Sequence, residues 1–189
     1  PLYLSGRDSV GWWAMFITML ALFTAFICLV FGYFFYWTAR DDFPPDPIPG
    51  PGTFWPVVAA AALLGSWALT LLSVRWNRLD NAPAFYLGLA FAMLCSAAGA
   101  AALLAGPWRT GLDPASHVYG ATVWILVIWA AVQALLGIIM QLYCLARRLA
   151  GRMTSRYDMD IYNVALYWHF TALTAAITVA VIAGFPLLL

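Results

Sequence analysis

The sequence contains no glutamate and no lysine. All eight acidic residues are aspartate and all nine basic residues are arginine. Charged residues fill only 9% of the 189 positions, where a soluble domain carries roughly a quarter. With 65% of the chain hydrophobic, there is more apolar surface than a soluble core of this length could use. The class is therefore an all-α integral membrane protein. A net charge of +1, with no basic stripe outside the membrane edges, leaves no surface for nucleic acid. The three cysteines, Cys28, Cys95 and Cys144, fall in three different apolar segments. They form no CxxC pair and imply no disulfide framework, so they read as small buried hydrophobes. The chain begins at Pro1 and carries no signal-peptide pattern. That fits a processed chain, an incomplete one, or one portion of a longer polypeptide.

What remains is organised by five charge-free windows. They run from Asp8 to Arg40, Asp46 to Arg75, Asp80 to Arg109, Asp113 to Arg147, and from Asp160 onward. Each holds the ~20 apolar residues needed to cross ~30 Å of hydrocarbon. The pattern predicts one five-helix transmembrane domain over residues 1–189, with helices near 11–37, 54–74, 84–105, 116–146 and 163–185. The fourth is overlong and should tilt or project. Asp113-Pro114 reads as an N-cap with proline at the first helical position, and Pro56 and Pro83 lie in first turns. Gly106-Pro107 should end the third helix and Gly184-Phe185-Pro186 the fifth. The stretch "DDFPPDPIPGPG" at 41–52 cannot be helical and predicts a stiff, partly extended loop. Placing the N-terminus in the cytoplasm puts seven arginines inside (Arg7, Arg75, Arg78, Arg147, Arg148, Arg152, Arg156) and two outside (Arg40, Arg109). The positive-inside rule favours that orientation, with the C-terminus periplasmic.

The windows hold no mid-membrane aspartate or arginine, where pumps and ion-coupled transporters place their carriers and relays. Five spans also do not divide into an inverted repeat. The two histidines lie at different depths. His117 sits at the outer end of helix four, and His169 about two turns into helix five from the cytoplasmic side. Much of the bilayer separates them, so they cannot share one haem or metal within the chain. Ala165, Ala172, Ala176 and Ala180 share the helical face of His169. Small residues at helical spacing mark close packing in membranes, which predicts that His169 points into a protein seam. Helix three has a similar stripe in Gly88, Ala92, Ser96 and Ala100. Helix four carries Gln133, Gly137, Met140, Gln141 and Cys144 on one broad face, whose amides need partners in the bilayer. If helix four continues past its apolar window, Arg148, Arg152 and Arg156 line one side at the interface and could hold lipid phosphates. Plain positive-inside anchoring is the simpler alternative. "GWWAMF" and "GYFFYW" put interfacial aromatics at both ends of helix one.

Four stretches together carry a family likeness. They are "GWWAMFITMLALFTAFICLVFGYFFYW" in helix one, "FPPDPIPGPG" after it, "SHVYGATVW" opening helix four, and "ARRLAGRMTS" with "NVALYWHFTAL" running into helix five. The chain resembles subunit III of the haem–copper cytochrome c oxidases, above all the subunit III-like portion of bacterial forms in which subunits I and III are fused. Tyr167-Trp168-His169-Phe170 matches a signature of the last helix of that family. The resemblance implies a five-helix accessory subunit of the bacterial cytoplasmic membrane that itself binds no haem, copper or other cofactor. Such a subunit packs on subunit I, and through it reaches subunit II. The partners hold the haems and copper that reduce dioxygen and pump protons. The resemblance further implies bound structural phospholipids and a role in proton uptake or oxygen access. Many members carry a buried glutamate where Met19 stands and a histidine where Gln133 stands; these departures favour a structural over a chemical role.

On this basis no catalytic or metal-binding residue is assigned to the chain. His169, Trp168, Ala172, Ala176, Gln133 and Gln141 are candidates for helix packing and the subunit interface, and Arg148, Arg152 and Arg156 for lipid head groups. Two other functions compete. A haem b- or quinone-binding anchor of a dehydrogenase should show paired histidines at equal depth. A small transporter should show intramembrane charge. The electron donor and the haem type belong to other subunits.

Overall fold

The computed structural model describes residues 9–46 and 50–187. Among these residues there is no strand, and five helices follow one another. They are α1 (Val10–Ala39), α2 (Phe54–Arg78), α3 (Ala82–Arg109), α4 (Val118–Leu149) and α5 (Met159–Val179). All five are long and apolar enough to cross a membrane, so the chain is a multi-pass membrane protein. Arg7 and Pro47–Pro49, which entered the orientation and loop arguments, lie outside the described residues.

Local chemistry sets most boundaries. Ser9 caps α1 by accepting the Trp12 N–H at 3.1 Å. Asn81 caps α3 by accepting from Ala84 at 3.2 Å, and Pro83 follows in the first turn, where a missing N–H leaves no bond unmade. Three residues suffice for the turn between α2 and α3 because Asp80 adopts φ +54°, a left-handed conformation that Asp and Asn tolerate better than most residues.

Three expected boundaries fail. α3 does not stop at Gly106-Pro107; it runs through Pro107 to Arg109. Pro107 sits in the last turn, and the freed end is closed by Thr110, whose hydroxyl lies 3.3 and 3.2 Å from the carbonyls of Gly106 and Pro107. Asp113-Pro114 does not open α4. Asp113 instead folds a separate turn, accepting from Ala115 N–H through Oδ1 and from the Ser116 hydroxyl through its carbonyl, both at 2.9 Å. His117 becomes the cap, its Nδ1 accepting the Tyr119 N–H at 3.1 Å. Finally, α5 begins at Met159 rather than 163. It passes beyond Val179 into a wider turn of π type (Ala180–Gly184) and a tight 3-10 turn (Phe185–Leu187).

α2 and α3 form the most intimate pair. Glycine permits it: a methyl group on Gly99 would overlap Leu63, and one on Gly88 would overlap Trp76 and Ser73. Gly88, Ala92, Ser96 and Ala100 are all buried, and the Ser96 hydroxyl donates to the Ala134 carbonyl of α4 at 3.2 Å. α5 packs against α2 and α4. α1 is attached chiefly to α4 and α5 and buries only Phe26 and Tyr33. The bundle therefore has one arginine-rich end, formed by the α2–α3 turn and the α4–α5 loop. The opposite end is formed by the α1–α2 and α3–α4 loops.

Candidate functional site

The signature Tyr167-Trp168-His169-Phe170 faces three ways. Trp168 is fully buried, its indole packed so closely on Gly137 that a methyl group there would overlap the ring. The Tyr167 hydroxyl donates to the Gln133 carbonyl at 3.0 Å. Phe170 meets Phe23 of α1 edge-on at 6.4 Å between ring centres. Three of the four side chains thus tie α5 to α4 and α1, and His169 completes the set toward α2: Trp67 Nε1–H donates to its Nδ1 at 2.9 Å.

His169 is nevertheless not inside a seam. Ala165 and Ala172 are buried, whereas His169 and Ala176 are exposed. At 100° per residue, His169 is rotated roughly 40° from Ala165 and Ala172 roughly 20° the other way. The edge of the bundle falls between them. His169 stands on a rim shared by two furrows. One, of about 320 Å³, runs between α1 (Phe16, Met19, Leu20, Phe23) and α5 (Leu166, Phe170, Leu173). The other lies between α2 and α5 and ends at Arg78 and Tyr162. Met19, half-buried, shares the first furrow with His169.

The two glutamines of α4 are buried and bonded across helices. Gln133 Oε1 accepts from Thr174 of α5 at 2.8 Å. Gln141 Nε2 donates to Thr70 of α2 at 2.8 Å, and that threonine hydroxyl donates to the Ser66 carbonyl at 2.7 Å. Each amide is half satisfied, since Gln133 Nε2 and Gln141 Oε1 have no partner. Trp168 Nε1 and the hydroxyls of Ser66, Thr171 and Thr178 are unpaired as well. This polar column gives the bundle register, because a shift of one residue would break both amide bonds together.

At the arginine-rich end the predicted basic row does not form. α4 ends at Leu149, and Gly151 at φ +68° turns the chain away. Arg148 folds inward with its side chain 8% exposed; Nη2 lies 2.6 Å from Asp80 Oδ1, and Nη1 donates to the Met153 carbonyl at 3.3 Å. Arg152 and Arg156 stay exposed in the loop, with Arg156 over the Tyr157 ring. Two further pairs join the same layer: Arg78 with Asp158 at 2.9 Å and Arg147 with Asp160 at 2.8 Å. The second is a charge contact rather than an aligned hydrogen bond. Sequence reasoning used Arg78 and Arg147 only for orientation and gave no pairing to Asp80, Asp158 or Asp160, because each pair joins separate segments of the chain.

At the opposite end Asp42 receives Arg40 through Nε at 2.9 Å and Nη2 at 3.2 Å, and meets His117 Nε2 at 3.1 Å. The Arg40 hydrogen bond first, and the His117 contact second, hold its carboxyl well below the usual carboxylate range. Next to it Phe43 is buried between Tyr33 and Tyr119, with ring centres 5.1 and 5.2 Å away.

Compared with models of known protein families and with curated proteins, the chain matches none. Its function must be argued from its own residues. Among the described residues no three His, Cys, Asp or Glu side chains gather as metal ligands would. His169 has one ring nitrogen committed within the fold, and His117 has both, Nδ1 to the Tyr119 N–H and Nε2 to Asp42.

Proposed function

We propose that the chain is a non-redox accessory subunit, of the subunit III type, of a haem–copper terminal oxidase in a bacterial cytoplasmic membrane. It would pack on the catalytic subunit I, hold lipid against it, and support proton uptake or oxygen access. The observation that carries this reading is the use of the Tyr167–Phe170 signature. Those residues, which bear the likeness to subunit III, tie α5 to α1, α2 and α4. A residue set devoted to holding helices together suits a subunit that stabilises chemistry carried out elsewhere. The polar column points the same way, since its members are amides, hydroxyls and an indole with no ordinary titration near neutral pH.

The test is a reduced-minus-oxidised visible spectrum of the complex purified in mild detergent through a tag on this chain. Strong haem absorbance that is lost when the chain is stripped from its partner is the expected result. An intact complex without haem would sink the oxidase assignment. Haem kept by the stripped chain would return His169 to consideration as a ligand.

A further inference from the structure

The two furrows that meet at His169 differ in what they show. The one between α1 and α5 exposes only apolar surface. The one between α2 and α5, about 200 Å³, exposes polar surface as well. Leu71 and Val74 of α2 and Ala165 of α5 form its apolar walls, with Arg78 and Tyr162 toward the arginine-rich end. Arg78 is the last residue of α2. Its Nε is taken by Asp158 at 2.9 Å, and its two Nη nitrogens have no partner among the described residues. The pair is unequally covered: the Arg78 side chain is 55% exposed and that of Asp158 only 15%. It therefore withdraws its carboxylate and presents its guanidinium. Tyr162, 37% exposed, adds a hydroxyl that bonds nothing else among the described residues. This end of the furrow offers donors and a positive edge, so what binds there must bring anionic oxygen.

Length decides what carries that oxygen. From Tyr162 to His169 is seven residues (169 − 162), about 10 Å along α5, or a third of a ~30 Å hydrocarbon core. A transmembrane helix needs the whole thickness, which this furrow does not offer. An amphiphile with its head group at the interface and a chain running inward needs part of one leaflet only. A quinone brings no negative charge to the guanidinium, whereas a lipid phosphate lies at the level of interfacial arginines and is matched by them.

We propose that the α2–α5 furrow seats one phospholipid. Its phosphate accepts from the Nη groups of Arg78 and from the Tyr162 hydroxyl, and one acyl chain lies along Leu71, Val74 and Ala165. The arginines that the sequence put forward for head groups are not this site, and the first of them, Arg148, is turned inward onto Asp80. The inference deepens the lipid-holding part of the function proposed above and rests on that part alone, not on the oxidase assignment.

The test adds phosphatidylglycerol with a diazirine in one acyl chain to the full chain in native membranes, and maps adducts by peptide mass spectrometry. Adducts are expected on Leu71, Val74 or Ala165 well above those on Leu94 of α3, which is 64% exposed elsewhere and reports passing lipid. Arg78→Gln should lower furrow labelling about tenfold, the range of one charge-assisted bond, and leave Leu94 unchanged. Asp158→Asn breaks the same ion pair but keeps the guanidinium, so it should label like wild type. Leu71→Trp fills the furrow without touching a donor and should also abolish the furrow adducts. A diacylglycerol carrying the same diazirine chain, with no phosphate, should label the furrow about tenfold less. Equal labelling by the two lipids, or equal labelling of Leu94 and the furrow, would overturn the proposal. A loss in Asp158→Asn as large as in Arg78→Gln would assign the effect to the ion pair and overturn it too. Haem in the purified complex is scored separately by its spectrum, so the oxidase assignment can fail while this site stands.

Discussion

Adding one methyl group to Gly137 should destabilise the protein, and adding one to Gly32 should stabilise it. At Gly137 the new Cβ would sit 2.7 and 2.9 Å from two ring atoms of Trp168 and 3.2 Å from its Nε1. Ordinary carbon contacts are about 3.5–4.0 Å, so α4 and the indole must part by nearly an ångström. Trp168 is fully buried and cannot swing into open space. Overpacking of this kind costs about 1–3 kcal/mol. Against it stands the helix preference of Ala over Gly, about 1 kcal/mol at most. Gly32, in α1, has nothing within 4 Å of its would-be Cβ, so there the preference acts alone. The difference between Gly137→Ala and Gly32→Ala therefore isolates the overpacking, about 1–3 kcal/mol, which corresponds to roughly 2–12 °C in Tm for a chain of this size. The assay is thermal unfolding of both variants in one detergent, followed by tryptophan fluorescence. If Gly137→Ala melts at or above Gly32→Ala, the indole does not lie on that glycine and the lock between α4 and α5 is wrongly described.

Three further outcomes are expected. Thr70→Val leaves Gln141 Nε2 buried without an acceptor and should cost about 1–3 kcal/mol, whereas Gln141→Leu removes an unpaired Oε1 together with the bond and should be nearly neutral; equal melting losses would refute this asymmetry. Asp80→Asn keeps a residue that tolerates φ +54° but removes the charge facing Arg148, so it should lower stability by about 1 kcal/mol at low salt and less at high salt. A melting point that salt leaves equally far below wild type would place the effect in the backbone instead. The Asp42 carboxyl is held below its ordinary value by Arg40 and then His117. Its contribution is therefore fully present above the unfolded value, about 3.9, and is lost as pH falls below it through the lower folded value. A near-ultraviolet circular dichroism titration should show Asp42→Asn insensitive to that part of the acid range where wild type loses its aromatic signal.

The helices were legible because hydrocarbon admits almost no charge. The gaps between Asp and Arg residues outline spans whatever the tertiary contacts are. The same signal gave no view of boundaries settled by local bonds. Pro107 looked like a stop, yet Thr110 closes the end beyond it. Asp113 looked like a cap, yet it is occupied by its own turn. Gly151 ended the arginine row that sequence continuity suggested. For His169, periodicity narrowed the direction to one quadrant of α5, and the bundle edge crosses that quadrant. Its partner Trp67 lies 102 positions away, and nothing in the local pattern links an indole on α2 to an imidazole on α5. Gln133 and Gln141 were recognisable as needing partners because amides in a bilayer always do, while the identity of Thr174 and Thr70 depended on how the helices came together.

The wide turn at Ala180–Gly184 has a consequence for editing the chain. A π turn is an α-helix carrying one extra residue. Deleting a residue elsewhere in α5 rotates everything after it by about 100° and would carry Phe185 away from Phe34 and Trp37, whose ring centres now lie 5.0 and 5.1 Å from it. Deleting Ala180 would instead let the turn relax to ordinary α geometry with Phe185 still in place. The π turn that follows α5 is thus a stretch where length can change by a single residue without altering which side chains meet.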